Sequence, residues 1–148
     1  MTILVGAAAL PIRSVTPSGA HAVIFYKVSC PTCQMAAPAF GRFALAYPGR
    51  VIGVGQDPAD TLAAFSATYA MSVPSVADLP PYRVSDAYGI EHVPTMVVVD
   101  GDGRVADVVE SWDRDGLNRA SRTLADMVGV DAAVISDEDD GLPAFRPG

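Results

Sequence analysis

Residues 21–37 read HAVIFYKVSCPTCQMAA and contain the clearest strand and helix signals of the chain. Its first seven residues form a continuous apolar run with polar ends, which is typical of a strand covered on both faces. From Pro31 onward the pattern is helical, and a proline at the first helical position loses nothing by lacking an N–H group. Cys30 and Cys33, the only two cysteines of the chain, therefore lie where a strand gives way to a helix.

A C-x-x-C pair at such a junction indicates redox chemistry rather than a structural disulfide. A bridge from Cys30 to Cys33 would constrain the unfolded chain little, because it closes so short a loop. Backbone N–H groups at the helix start favour a thiolate on Cys30, and the thiolate is the nucleophile of disulfide exchange. We therefore expect Cys30 to attack and the less accessible Cys33 to resolve the mixed disulfide, while Pro31 and Thr32 tune the reduction potential.

The rest of the chain predicts an α/β fold. A strand–helix–strand unit comes first and should be right-handed, and a hairpin with a closing helix follows, so a mixed central β-sheet with helices on both faces results. The predicted strands are 3–5, 21–27, 51–55, 73–76, 95–99 and 104–109. The predicted helices are 31–47, 59–70, a short one around 84–88, and a last one from the N-cap Asp113 to Gly129.

Length and charge favour one domain with two flanking segments. The 148 residues suffice for a single hydrophobic core, and we assign residues 1–19 to an N-terminal extension and 20–129 to the domain. The net charge of −7 is uneven, because residues 131–148 contain five acids and one base, a net of −4. We therefore interpret residues 130–148 as an acidic, flexible tail.

These totals also exclude some partners. A negative net charge argues against nucleic acid binding, and no apolar stretch reaches the ~20 residues that span a bilayer. Residues 1–10 have no basic residue and Pro11 follows them, which makes a poor secretion signal. We expect a cytoplasmic monomer as the chain stands, or an extracytoplasmic one if a leader or anchor has been removed.

Further features occur in a fixed order along the chain. They are Phe25-Tyr26 before the cysteines, Pro38 five residues after Cys33, Val93-Pro94-Thr95, and the hairpin sequence at 98–105. With these residues the chain resembles the thioredoxin superfamily, and within it the bacterial thioredoxin-like reductases of the cytochrome-maturation type (TlpA/ResA-like redoxins). The resemblance covers roughly residues 20–129.

The resemblance implies a thioredoxin-like fold in which Pro94 is cis and packs against the cysteine pair. It implies that Val93, Pro94 and Thr95, with Pro31 and Thr32, bind an extended substrate segment through backbone groups. The implied activity is thiol–disulfide exchange in cell redox homeostasis, with protein or small-molecule disulfides and thiols as substrates. An unidentified redox partner and no cofactor are expected.

The chain departs from the resembled pattern near the resolving thiol. Relatives often pair a buried Asp with a Lys, and these positions hold Ile24 and Gly53 here. Some relatives carry a Glu where this chain has Ala36. The proton acceptor for Cys33 is therefore open, with water, Glu91 and Asp57 as alternatives.

Lys27 and His92 are candidate modulators of the thiol pKa. Lys27 lies three residues before Cys30 and His92 two residues before Pro94, although either is also at home on a solvated surface. His92 with both cysteines would still need a fourth ligand for zinc, and His21 lies roughly 20 Å along the strand. We expect no metal site.

Two other functions remain as alternatives. A peroxiredoxin-like thiol peroxidase would require a Pro and a Thr or Ser at positions that hold Val23 and Lys27. A non-enzymatic metal carrier or binding module would use the same scaffold, but copper carriers of this fold favour three residues between their cysteines and this chain has two.

Overall fold

A computed structural model describes residues 3–9, 11–12 and 16–148. Its elements are β1 (His21–Tyr26), α1 (Pro31–Ala46), β2 (Val51–Gly55), α2 (Ala59–Tyr69), β3 (Ser75–Ala77), α3 (Arg83–Ala87), β4 (Thr95–Val99), β5 (Val105–Glu110), β6 (Trp112–Asp113), α4 (Arg114–Val128) and β7 (Phe145–Arg146). The strands and helices predicted between residues 21 and 128 are confirmed with small shifts at their ends. The short strands β6 and β7 are not predicted by the sequence.

The central sheet is mixed, as predicted. Its five strands run in the order β3-β2-β1-β4-β5, with β1, β2 and β3 parallel and β4 antiparallel to both β1 and β5. All six residues of β1 are buried, because this strand has a neighbour on each side and a layer on each face. The continuous apolar run at 21–26 follows from that central position.

Two apolar clusters cover the two faces of the sheet. Successive side chains of a strand point to opposite faces, so Ile24 packs into a cluster with residues of α1, α2 and α4. Phe25 packs into the other cluster, with Tyr88 after α3 and with Ile12. The expectation of helices on both faces is therefore confirmed. Among the described residues, no helix combines the length and the apolar character needed to cross a bilayer.

The predicted edge strand at residues 3–5 is not present. Residues 6–9 instead join the end of the β4–β5 hairpin through one isolated bridge between Ala8 and Arg104. Gly6 has a positive φ of 90° in a turn, and glycine adopts this conformation readily. The turn prevents the preceding residues from continuing as a ladder.

Residues 130–148 pack against the domain and do not extend from it as the free tail that we expected. Ile135 and Ser136 are buried, and their amides both donate to the Asn118 side chain. Asp140 lies between Arg114 at 3.4 Å and Arg42 at 3.6 Å. The acidic composition led to a wrong expectation, because buried apolar residues such as Ile135 and the two arginines beside Asp140 hold this segment against the domain. The boundaries at 19/20 and 129/130 stay predictions.

Candidate active site

The two cysteines occupy the N-terminus of α1. Cys30 is the N-cap residue, and its Sγ accepts a hydrogen bond from the Cys33 backbone N–H at 3.4 Å. Pro31 takes the first helical position, as the sequence predicts. Both thiols are free. Negative charge that develops on the Cys30 sulfur would therefore meet a backbone donor at the positive end of a helix.

The two sulfurs differ in their access to solvent. Cys30 is half-buried, whereas Cys33 is 1% exposed. Burial raises the pKa of the Cys33 thiol well above its usual range, the Lys27 backbone partly offsets this, and the nearby Cys30 and Asp57 raise it further. The pair thus combines one reachable sulfur with one that is kept protonated.

The loop before β4 lies against the first cysteine. The Val93–Pro94 peptide bond is cis, which confirms the expectation for Pro94. The Cys30 thiol donates to the Val93 carbonyl oxygen at 3.6 Å. The Thr95 hydroxyl donates to the His92 carbonyl at 2.7 Å, and this bond closes the loop on itself. Residues 93–95 and the C-x-x-C motif therefore meet at one edge of the sheet.

The side chains of Lys27 and His92 are not among the groups that shift the Cys33 pKa. Lys27 is half-buried at the end of β1, and its backbone rather than its ammonium group acts on the pKa of Cys33. His92 is exposed, and the ring does not figure among the groups that shift the Cys33 pKa. Their role as modulators stays a prediction.

A carboxylate approaches the pair from the loop after β2. Asp57 Oδ2 accepts the Val28 N–H at 2.8 Å, and the Gln34 side chain donates to the Val28 carbonyl at 2.8 Å. The residues that lead into the motif are therefore fixed from both sides. Of the acceptors left open by the sequence, Asp57 is one whose charge acts on the Cys33 pKa.

The positions of the absent Asp–Lys pair are closed by packing. Ile24, at the Asp position, is fully buried, and so is Ala36, where some relatives carry a Glu. A Cβ atom on Gly53 would lie 2.3 Å from Ser75 Oγ and 3.1 Å from Tyr26 Cε1, so a lysine has no room there. Within residues 3–9, 11–12 and 16–148, no three His, Cys, Asp or Glu side chains are grouped to hold a metal ion.

Sequence reasoning missed the contacts that residues 143–148 make at this site. The Thr32 hydroxyl donates to the Pro147 carbonyl at 2.7 Å, and the Gly148 N–H donates to Ser111 Oγ at 3.1 Å. These partners are far apart in the chain, and β7 has two residues, too few for a periodic signal. The short apolar run at 133–135 was the one feature of the sequence that indicated packing of the C-terminal residues against the domain.

An N-capping sulfur, a buried second sulfur and a cis-proline loop on a sheet of this order define a thioredoxin-like oxidoreductase. The chain belongs to the AhpC/TSA family, whose model matches residues 14–108. That span includes both cysteines and the Val93–Pro94 bond. No curated protein sequence matches the chain.

Three solved structures are similar to this chain in fold. MTB dsbF, solved in mixed oxidized and reduced forms, is 29% identical, with 73% of this chain and 82% of that chain covered and a TM-score of 0.61. A candidate thiol:disulfide interchange protein DsbE from Chlorobium tepidum is 16% identical, with 86% and 100% covered and a TM-score of 0.72. The thioredoxin domain of a thiol-disulfide oxidoreductase from Bacteroides vulgatus is 16% identical, with 83% and 99% covered and a TM-score of 0.68. At these identities the last two show likeness of fold.

Proposed function

We propose that this chain exchanges disulfides through Cys30 and Cys33, with Cys30 as the attacking thiol and Cys33 as the resolving thiol. One observation carries the proposal. The half-buried Cys30 sulfur caps α1 beside the Val93 carbonyl, and the buried Cys33 follows it on the first turn of the same helix. This asymmetry supports a nucleophile that a substrate reaches and a second thiol that it does not.

The chemistry balances as a two-electron exchange. The Cys30 thiolate attacks one sulfur of a substrate disulfide, the substrate S–S bond breaks, and the second substrate sulfur leaves as a thiolate. Cys33 then loses its proton and attacks Cys30 Sγ, so the Cys30–Cys33 disulfide forms and the first substrate sulfur leaves. The substrate is reduced by two electrons and the enzyme dithiol is oxidised, and the reverse sequence makes an oxidase.

The substrate class follows from the surroundings of Cys30. The Val93 carbonyl of the cis-proline loop lies beside the sulfur, and Pro31 and Thr32 follow Cys30 on the helix. Such an edge suits an extended peptide segment that carries a disulfide, or a small disulfide with little side structure. We propose a monomer that acts on protein or small-molecule disulfides and thiols, with a separate redox partner that sets the direction.

Single-cysteine variants test this proposal. We expect Cys30→Ser to abolish reduction of a peptide disulfide, and Cys33→Ser to accumulate a mixed disulfide on Cys30 that intact-protein mass spectrometry detects. Thr61→Ser, a conservative exchange at a half-buried position on α2, serves as the control and should retain wild-type turnover. Equal turnover by wild type and Cys30→Ser would refute the assignment.

Membership of the AhpC/TSA family makes thiol peroxidase activity the second candidate. Against it, Val23 is buried in the sheet core and Lys27 directly follows β1, where a peroxidatic site would need a Pro and a Thr or Ser. Peroxide consumption is measured on the same variants. Rapid consumption with sulfenic acid on Cys30 and no disulfide exchange would favour the peroxidase instead.

A further inference from the structure

Residues 143–148, which we call the strap, lie across the face where Cys30 meets the cis-proline loop. The strap begins at Pro143, whose carbonyl accepts the Trp112 indole N–H at 2.6 Å. It continues as β7, which pairs antiparallel with β6. It ends beside the motif, where Thr32 and Ser111 bond to Pro147 and Gly148. The strap is thus attached at both ends.

The far end of the strap touches the backbone that a substrate would use. A Cβ atom on Gly148 would lie 1.9 Å from the Val93 carbonyl oxygen and 3.2 Å from Pro94 Cδ. The Val93 carbonyl is also the acceptor for the Cys30 thiol. Gly148 therefore sits directly against the loop proposed to bind substrate, at a distance that only a residue without a side chain permits.

The inner side of the strap also covers the helix side of the site. Thr32 is 4% exposed, and its hydroxyl is engaged by the Pro147 carbonyl. The Arg146 guanidinium lies 3.8 Å from Met35 Sδ on the first turns of α1. The strap and an extended substrate peptide would require the same groups on both sides of Cys30.

The strap is held by polar contacts rather than by burial. Its residues are exposed on their outer side, and β7 has two residues. Backbone bonds to Trp112 and Arg114, with the side-chain bond from the Trp112 indole, hold its first half. A segment with few buried apolar contacts opens locally at low free-energy cost. These properties suit a cover that opens and closes.

We propose that the strap is an internal occupant of the peptide-binding edge and that it must leave before an extended disulfide substrate reaches Cys30. The inference rests on the proposed function of that edge. Small disulfides need less of the edge, so the strap discriminates against peptide substrates until it is displaced. A ligand or partner that binds the open strap would raise activity by shifting this equilibrium.

Two variants open the strap in different ways. Gly148→Ala adds a methyl group where the Val93 carbonyl leaves no space, and Gly101→Ala is its control, since a Cβ there meets nothing within 4 Å. A chain that ends at Leu142 removes the strap altogether. If this shorter chain does not fold, Gly148→Ala still tests the inference because it leaves the Trp112 contact in place.

The measurement compares two reagents on Cys30 in a Cys33→Ala background. We expect the rate of reaction with a peptide disulfide to rise about tenfold in Gly148→Ala, the factor by which a ten-to-one bias toward the closed strap reduces the competent population. Alkylation by iodoacetamide should change little, and Gly101→Ala should match the parent. Fluorescence of Trp112, the single tryptophan, should change in the open variants and when the peptide binds.

The outcomes separate the two proposals. Equal peptide-disulfide rates in the parent, Gly148→Ala and the shortened chain would overturn the strap while exchange by Cys30 stands. No reaction of any form with the disulfide, with normal alkylation of Cys30, would overturn the proposed function and the strap's role with it. An equal rise with both reagents would show general exposure of Cys30 and would also overturn a cover selective for peptides.

Discussion

Gly41 is the point at which α1 touches the end of α2, and Gly41→Ala tests the packing that positions the cysteine helix. A Cβ atom there would lie 2.2 Å from the backbone carbonyl oxygen of Ala70 and 3.6 Å from the Met71 Cα. Ala70 caps α2 in the left-handed conformation, with φ of 56°. The opposing atom belongs to the backbone of a fixed turn and cannot rotate away, so one of the two helices must shift.

Two effects of opposite sign decide the magnitude. Alanine is more stable than glycine in a helix interior by about 0.5–1 kcal/mol. Overpacking a well-filled interior costs about 1–3 kcal/mol, and a backbone obstacle beside the buried Met71 places this site in the upper part of that range. We therefore expect Gly41→Ala to reduce the free energy of unfolding by about 1–2 kcal/mol.

Urea unfolding of the reduced proteins measures this difference. The midpoint of Gly41→Ala should fall with an unchanged m-value. Gly101→Ala, which adds the same methyl group in open space, should stay within about 0.5 kcal/mol of wild type. Equal or greater stability of Gly41→Ala would show that helix propensity outweighs the clash, and the account of how α1 is seated on α2 would be wrong.

Further predictions concern protons. Burial raises the pKa of Cys33, so Cys33 is protonated at neutral pH. The step in which Cys33 attacks the Cys30 mixed disulfide and releases the substrate thiol should therefore accelerate as pH rises. A rate of this step that stopped-flow shows to be independent of pH between about 6 and about 9 would contradict this. Asp57→Asn keeps an acceptor for the Val28 N–H but removes a charge that raises the Cys33 pKa. Attack of Cys33 on the Cys30 mixed disulfide should therefore become faster at fixed pH. A slower attack would identify Asp57 as the proton acceptor. Although desolvation opposes it, hydrogen bonds from Ser136 and the Leu142 amide, with Arg114 nearby, lower the pKa of Asp140. A lowered carboxyl pKa stabilises the fold above the unfolded pKa, and this stabilisation is lost as pH falls through the folded pKa. The protection factor of the Leu142 amide, which is the exchange rate relative to the intrinsic rate at the same pH, should therefore fall in acid, and should fall less in Asp140→Asn.

The cysteine motif and its strand were predictable because their signals are local. The apolar run of β1 requires partners on both faces, and Pro31 marks the helix start next to Cys30. The β4–β5 hairpin was also predictable, since Asp100 Oδ1 accepts the amides of Asp102 and Arg104 within one turn. Each of these inferences depends on residues within a few positions of one another.

The strap was not predictable because its contacts join distant residues. The bond from Thr32 to Pro147 spans 115 positions, and β6 and β7 have two residues each. Net charge favoured a solvated segment, but the acid that matters most, Asp140, is held by Arg114 and Ser136. A composition average does not reveal which acids have partners.

The same sheet explains why the carboxylate near the thiols comes from a loop. β1 and β2 lie side by side with Ile24 opposite Gly53, and both positions are closed by core packing, so neither holds a charged pair. The loop after β2 emerges beside the end of β1, where Gln56 N–H donates to the Tyr26 carbonyl at 3.0 Å. Asp57 follows directly, is half-buried and bonds to the segment that precedes Cys30. Because the charge of this carboxylate raises the Cys33 pKa, we expect Asp57 to oppose the ionisation of Cys33 rather than to accept its proton, and faster resolution in Asp57→Asn is the outcome that follows from this.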